Sequence, residues 1–161
     1  MTTKRIVYTR PDGGVSILAP APEFLAQFAT EEEGIAAVQA KNIPSGAVGV
    51  TVIDATSVPE RSFRNAWEWN NGIQVNMPKA RVIHMDKIRR VRNDELEKLD
   101  ISFMRAIEAG DAAEQTSITN QKQALRDIPQ ELDLEVFATP EDLHASWADN
   151  LVRPEGEVTE S

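Results

Sequence analysis

The sequence contains no cysteine among its 161 residues, and this absence removes several chemistries at once. Disulfide frameworks, zinc sites built on thiolates and thiol nucleophiles are all excluded. A cysteine-free chain fits a reducing compartment, and a chain of this length can bury a hydrophobic core without disulfide bonds. The sequence also has no apolar run approaching the roughly 18 residues of a membrane-spanning helix, and its first residues lack the apolar core of a signal peptide. We therefore expect no membrane partner and no cleaved export signal.

Basic residues are scarce in the last third of the chain. Residues 111–161 carry 3 Lys and Arg against 12 Asp and Glu, whereas residues 1–110 carry 14 of each, so the whole net charge of −9 lies in the last third. Binding to a nucleic-acid backbone needs clustered positive charge. We therefore expect no nucleic-acid partner, and the acidic third suits solubility or docking against a basic partner.

Sequence signatures of a reaction are also missing. No G-x-S-x-G, P-loop or G-x-G-x-x-G motif occurs, and the two histidines, His84 and His144, lie far apart without metal-ligand spacing. The basic cluster in residues 87–92 is interspersed with acids, which is typical of a solvated helix face. We expect a non-enzymatic protein with no catalytic residue, no cofactor and no metal.

The first 77 residues predict a small β-rich domain. Residues 5–9 and 15–19 are β-rich runs around a Pro-Asp-Gly-Gly turn, which predicts a hairpin. Thr30 and Glu33 form a capping box that predicts a helix over residues 31–41. Residues 47–54 predict a third strand buried on at least one face, and the segment of residues 63–76 predicts a second, short hairpin.

Residues 78–109 predict a long helix with two apolar rows. Ala80, Ile83 and Val91 share one side, whereas Leu96, Leu99, Phe103 and Ile107 follow a 3-4-4 ridge on another. The shift falls at residues 92–95, where either the helix breaks or one bent helix packs against two neighbours; we favour the single helix. Gly110 predicts the bend, and a returning helix over residues 114–128 is expected to end at Pro129.

A last helix is expected to begin at Thr139-Pro140, because threonine caps helices and proline favours their first position. Its predicted apolar ridge consists of Leu143, Trp147 and Leu151, which are spaced i, i+4 and i+8. Two tryptophans two residues apart in the second hairpin either complete the core, which we favour, or form an exposed aromatic patch. The candidate partner-binding residues are Trp67, Trp69, Leu143, Trp147 and Leu151.

Together these elements predict an α+β fold. A small N-terminal antiparallel β region is followed by a long helix, an antiparallel helical hairpin and a C-terminal helix. The predicted divisions are a β-rich domain over residues 1–77, a hairpin over 78–130, a C-terminal helical segment over 131–152 and a disordered acidic tail over 153–161.

Several ordered motifs resemble those of one family. Residues 79–92, 96–111 and 122–129 resemble segments of small tailed-phage proteins that are described as tail or tail-fibre assembly chaperones. Residues 7–14 and 59–67 are similar to the same group, so the resemblance covers roughly residues 5–130. It implies a phage tail or tail-fibre protein as partner, and a location in the host cytoplasm during assembly or in the virion tail.

Two functions remain open at this point. The first is a tail assembly chaperone, or a small structural component of the virion, which acts through protein contacts; the ridge of the long helix could also pair with itself in a homo-oligomer. The second is a phage-encoded inhibitor or mimic that binds a host protein through the acidic last third. A small enzyme has no supporting motif.

Overall fold

The computed structural model describes residues 3–154 and divides the chain into two units, Met1–Asn76 and Met77–Ser161. The predicted α+β class is confirmed. Within residues 3–154, the first unit contains five strands and two α-helices, the second contains three α-helices, and short 3₁₀ segments lie in both. In chain order the elements are β1 Lys4–Thr9, β2 Val15–Leu18, α1 Pro22–Leu25, α2 Glu31–Asn42, β3 Val48–Asp54, β4 Trp67–Trp69, β5 Ile73–Val75, α3 Met77–Glu108, α4 Ala112–Glu131 and α5 Pro140–Ala145.

The first unit is built on an antiparallel sheet with the strand order β2-β1-β3. Its central strand β1 alternates its side chains between two apolar clusters. Ile6 packs with residues of α1 and α2, and Val7 packs with residues of β2 and the β4–β5 hairpin. The two predicted hairpins and the helix capped by Thr30 are confirmed, and Thr30 Oγ1 accepts a hydrogen bond from the Glu33 amide at 3.2 Å.

The third strand differs from its prediction. A strand buried on at least one face was expected, but Val48, Val50 and Val52 of β3 are 61%, 41% and 39% exposed. β3 lies at the edge of the sheet, and its register against β1 shifts between Val7 and Thr9. Gly49, with φ 63°, accommodates this bulge. The expectation of a buried face is met only in part: Ile53 is partly buried against the cluster of Val7, but no residue of β3 is fully buried. Apolar, β-branched composition identifies a strand but does not show how far another layer covers it.

In the second unit, α3 is one continuous helix, as favoured from the sequence. Its first half buries Ala80, His84 and Ile88. The C-terminal segment packs on this half, where the Arg81 guanidinium donates to the carbonyl oxygens of Leu134 at 3.1 Å and Phe137 at 3.0 Å. Its second half packs against α4. The shift in the apolar pattern therefore marks a change of neighbour along a single helix.

The α3–α4 hairpin forms around Gly110, which has a φ of 68°, and Asp111 caps α4 by accepting a hydrogen bond from the Glu114 amide at 2.9 Å. The predicted ridge is wrong at its last member. Ile107 is 46% exposed, and Ala106 is buried in its place. The Ala106 carbonyl accepts hydrogen bonds from the Asp111 amide and from Gln115 Nε2, which join the start of α4 to this turn of α3.

Two predicted helix ends are also wrong. Proline 129 lies inside α4, which continues to Glu131. A proline removes one backbone hydrogen bond, and here the last turn is retained by the Leu132 amide bonding to the Ile128 carbonyl at 2.9 Å. Helix α5 stops at Ala145, so Leu143, Trp147 and Leu151 do not form a ridge on one helix. The Ser146 carbonyl accepts a hydrogen bond from His84 Nε2 at 2.8 Å, and this tertiary contact holds the chain in a non-helical path.

The predicted divisions after residue 77 fall within a single unit. Ile88 of α3, Leu125 and Ile128 of α4, and Ala148 and Leu151 of the C-terminal segment share one apolar cluster. The predicted tail began at residue 153, but Arg153 is part of this unit: it donates to the His144 carbonyl at 2.6 Å. The remainder of that prediction, residues 155–161, lies outside the described residues.

Candidate functional site

The second half of α3 exposes three apolar side chains in a row. Ile101, Met104 and Ile107 are 56%, 57% and 46% exposed, and they are spaced three residues apart. At about 100° per residue, Ile101 and Ile107 lie within about 60° of Met104 around the helix axis. We call these three residues the helix row. It is an apolar strip on the surface of a helix whose other side already packs against α4.

Acidic side chains lie at both ends of the helix row. Glu97 precedes it by one turn and Glu108 follows it, both are exposed, and both fall on the same side of α3 as Met104 by the helical repeat. The row is thus an apolar strip with an acidic residue beyond each end, and the exposed Arg105 lies along its side. This pattern favours a partner segment whose apolar residues lie beside basic ones.

The helix row is distinct from the side of α3 that forms the hairpin. Lys122 of α4 pairs with Asp100 and lies over the Phe103 ring, 5.4 Å from its centroid. Leu96 and Leu99 pack against the shared apolar cluster. These contacts cover Leu96, Leu99 and Phe103 of the predicted ridge from within the chain, whereas its last member, Ile107, stays exposed as part of the helix row.

A second set of exposed apolar side chains lies in the first unit, on both faces of the edge strand β3. Val48, Val50 and Val52 project from β3, which pairs only with β1 among the strands of the described chain. Edge strands are usually protected by lysine, proline or a bulge, and here the Gly49 bulge affects only the beginning of the strand. Each unit therefore exposes apolar side chains of its own.

The candidate partner-binding residues divide into buried and partly exposed groups. Trp67, Leu143 and Leu151 are 4%, 0% and 4% exposed, so they belong to the interior. Trp69 and Trp147 are partly exposed. The preference for a core role is confirmed for Trp67. Partner binding by these five residues stays a prediction. Only Trp69 and Trp147 have side-chain surface that a partner could contact.

Trp147 lies beside a cavity of about 250 Å³ that is lined in part by Ile128, Leu132 and Asn150. The Arg153 guanidinium lies over the indole ring at 5.1 Å. The His84 ring meets the indole edge to face at 5.9 Å. These two contacts hold the Trp147 ring in place against the apolar cluster of the second unit. Its main role is therefore to cover that cluster, and little of the ring is free for a partner.

His84 is the most deeply buried titratable side chain of the described residues, at 1% exposure. A carbonyl oxygen can only accept, so the neutral ring carries its hydrogen on Nε2 and donates it to Ser146. Burial lowers the pKa of His84 below its usual value near 6.5. The hydrogen bond to Ser146 opposes this shift, whereas Arg153, Lys87 and His144 reinforce it.

This lowered pKa predicts how stability changes with pH. The unfolded chain takes up a proton on His84 near pH 6.5, but the folded chain does so only at lower pH. The neutral His84 ring therefore makes its full contribution to the free energy of unfolding above pH 6.5, and this contribution is lost as the pH falls towards the folded pKa. We expect His84→Gln, which retains a donor for Ser146, to reduce this pH dependence by up to about 1.4 kcal/mol per pH unit. Urea unfolding at pH 7.5, 6.5 and 5.5 measures it, and equal slopes in both proteins would contradict it.

Sequence reasoning missed Ile101 and Met104. Their spacing of three residues is visible in the sequence, but it lies outside the 3-4-4 ridge that predicted the hairpin contact. The signal that could have found them is a second apolar row on a helix that already has one. A helix that packs through one side needs no second row for its own fold.

Within residues 3–154, no group of three or more His, Asp or Glu side chains is arranged to hold a metal ion. None of the helices in that range combines the length and apolar character needed to span a bilayer. Compared with protein-family models, curated proteins and solved structures, the chain matches none of them. The structural argument for a function therefore rests on the exposed apolar side chains of the helix row and of β3.

Proposed function

We propose that this chain is a non-enzymatic tail protein of a tailed phage, either an assembly chaperone or a small structural component, which binds a tail or tail-fibre protein. It would act in the host cytoplasm during assembly or as part of the virion tail. Two independent arguments favour this: the ordered motifs over roughly residues 5–130 resemble those of tail assembly chaperones, and the second unit exposes an apolar strip on α3.

The helix row is the observation that carries the proposal. Ile101, Met104 and Ile107 leave about half of their side-chain surface in water although α3 is already packed through other residues. Contiguous exposed apolar residues that are bounded by charge are typical of protein-binding surfaces. A row with a spacing of three residues fits an amphipathic helix of a partner laid along it.

Charge defines the partner segment further. Because Glu97 and Glu108 bracket the row, we propose that the bound segment carries apolar residues in its middle and Lys or Arg towards its ends. Charges at the rim contribute mainly to association rate and orientation, so the apolar residues should supply most of the affinity.

Co-expression with phage tail and tail-fibre proteins tests this proposal. We expect the wild-type chain to co-purify with one of them, and Ile101→Lys combined with Met104→Lys to weaken that complex at least about tenfold, because two ammonium groups would enter an apolar contact. The matched control is Val82→Lys. Val82 is 61% exposed on the same helix, about 28 Å from Ile101 at 1.5 Å per residue, and its substitution should leave binding unchanged.

Three results would contradict the proposal. The first is recovery of the chain alone from every pairing. The second is equal loss of binding in the control variant. The third is a dimer of the lone protein that the double variant dissociates, because the helix row would then be a contact between two copies. Mass spectrometry of purified virions separates the two forms of the proposal: a structural component is present in fixed stoichiometry and a chaperone is absent.

The inhibitor hypothesis stays a prediction with less structural support. It treats the acidic last third as a surface that acts on its own. In the structure, Leu134, Leu143 and Leu151 of this third are buried in the second unit, and Glu135 is paired with Arg81 at 3.1 Å. Up to residue 154, the acidic segment is thus part of a folded unit, with its charged side chains around a buried apolar interior.

A further inference from the structure

Three arginines converge on a cavity in the first unit. Arg10 lies in the turn after β1, and Arg61 and Arg64 lie on a 3₁₀ segment, Arg61–Ala66, that precedes β4. All three line a cavity of about 310 Å³. We call it the arginine pocket. Its size is at the lower end of the roughly 300–1,000 Å³ that is usual for small-molecule sites.

No carboxylate lines the arginine pocket, and the two nearest acids in the sequence are already engaged. Asp12 accepts from Arg10 Nε at 3.2 Å and from the Gly14 amide at 2.8 Å. Glu60 accepts from the Ser62 amide at 2.9 Å and the Ser62 hydroxyl at 2.7 Å. Asp12 thus offsets the charge of Arg10, and the positive charge of the pocket comes from Arg61 and Arg64.

Arg10 is held in position by the hairpin. Its Nη1 donates to the Val15 carbonyl at 3.1 Å and to the Ser16 hydroxyl at 3.0 Å. Gly14 makes room for it, since a Cβ at residue 14 would lie 2.1 Å from Arg10 Nη2. Such constraints reduce the conformational entropy that a binding side chain loses, which favours ligand binding.

The remaining polar groups of the pocket are neutral. They are the phenol of Tyr8, the hydroxyl of Ser16 and the amide of Asn65. A carboxylate is satisfied by one guanidinium fork, whereas a phosphate group has more acceptor oxygens and up to two negative charges. Three guanidinium groups with additional neutral donors thus match phosphate better than carboxylate.

We propose that the arginine pocket binds the phosphate group of a small molecule. The site is separate from the helix row and does not depend on the proposed tail function. Arg61 and Arg64 supply the exposed charges, and Arg10, whose charge is paired with Asp12, supplies a guanidinium donor in a fixed position. The limited volume accommodates a phosphate and a short substituent.

NMR titration of the full chain tests this proposal, with inorganic phosphate, glycerol phosphate and glutarate as probes at constant ionic strength. We expect saturable shifts of the Arg61–Ala66 amides and of the Trp67 indole N–H, which belongs to a residue of the pocket wall. Phosphate should bind at least about tenfold more tightly than glutarate. Binding of glycerol phosphate distinguishes a phosphate ester from the free ion as ligand. Equal binding of glutarate, or the absence of saturation, would overturn the proposal.

Matched variants locate the site. Arg61→Gln combined with Arg64→Gln should weaken phosphate binding at least about tenfold. Arg105→Gln combined with Arg126→Gln removes the same charge from exposed positions of the second unit and should not. Gly14→Ala should also weaken binding, because it displaces the Arg10 guanidinium and leaves Arg61 and Arg64 in place. If both arginine pairs weakened phosphate binding equally, the phosphate would be attracted only by the net charge of the protein. If Gly14→Ala left phosphate binding unchanged, Arg10 would not contact the phosphate. Either result contradicts a site made of three arginines.

Discussion

Ile88→Ala is expected to lower the free energy of unfolding of the second unit by about 2–5 kcal/mol. Ile88 is 0% exposed and belongs to one apolar cluster with Leu125 and Ile128 of α4 and Leu151 of the C-terminal segment. Truncation to alanine removes three heavy atoms where three segments of the chain meet, and the resulting cavity cannot collapse without moving all of them. Urea unfolding followed by far-ultraviolet circular dichroism measures the loss.

Ile101→Ala is the matched control for this prediction. It is the same substitution on the same helix, at a side chain that is 56% exposed. We expect a change within about 0.5 kcal/mol, as is usual for surface substitutions. A loss similar to that of Ile88→Ala would mean that the helix row is covered in the folded protein, which would also remove the basis of the proposed function.

The features that could be predicted from the sequence are those set by local chemistry. Thr30, Asp111 and Thr139 each accept a hydrogen bond from the amide three residues later, and each begins a helix. Gly110 ends α3 with a positive φ. These signals lie within four residues of their effect, so a single sequence contains all the information that they need.

The features that could not be predicted depend on residues far apart in the chain. Helix α5 ends where His84, 62 residues earlier, binds the Ser146 carbonyl. The exposure of β3 depends on whether another layer covers the edge of the sheet, and the burial of Ala106 in place of Ile107 depends on how closely α4 approaches α3. Local propensity describes none of these contacts, because tertiary packing overrides it.

The candidate site illustrates the same division. The spacing of the predicted ridge and that of the helix row are both visible in the sequence of α3, but only the position of α4 and the C-terminal segment shows which side chains pack within the chain. The arginine pocket is harder still to predict. Arg10 and Arg64 are 54 residues apart, and nothing in either local sequence indicates that both line one cavity.

Ile6→Ala is expected to destabilise the first unit by about 2–5 kcal/mol. Ile6 is 0% exposed on the central strand and packs with Leu25 of α1 and with Ile35 and Val38 of α2. Its removal leaves a cavity between the sheet and both helices. Thermal and urea unfolding, with indole fluorescence of the two tryptophans of this unit as an additional probe, measure the effect.

Val52→Ala provides the control within the same sheet. Val52 pairs with Ile6 in the β1–β3 ladder, so the two side chains share one face of the sheet, but Val52 is 39% exposed at the edge. We expect a loss below about 1 kcal/mol. If Val52→Ala instead cost as much as Ile6→Ala, the valines of β3 would be part of the core in solution, and some other layer would have to cover that edge. A small change in the free energy of unfolding would mean that this unit folds without a layer over β3, which is then an exposed apolar edge strand.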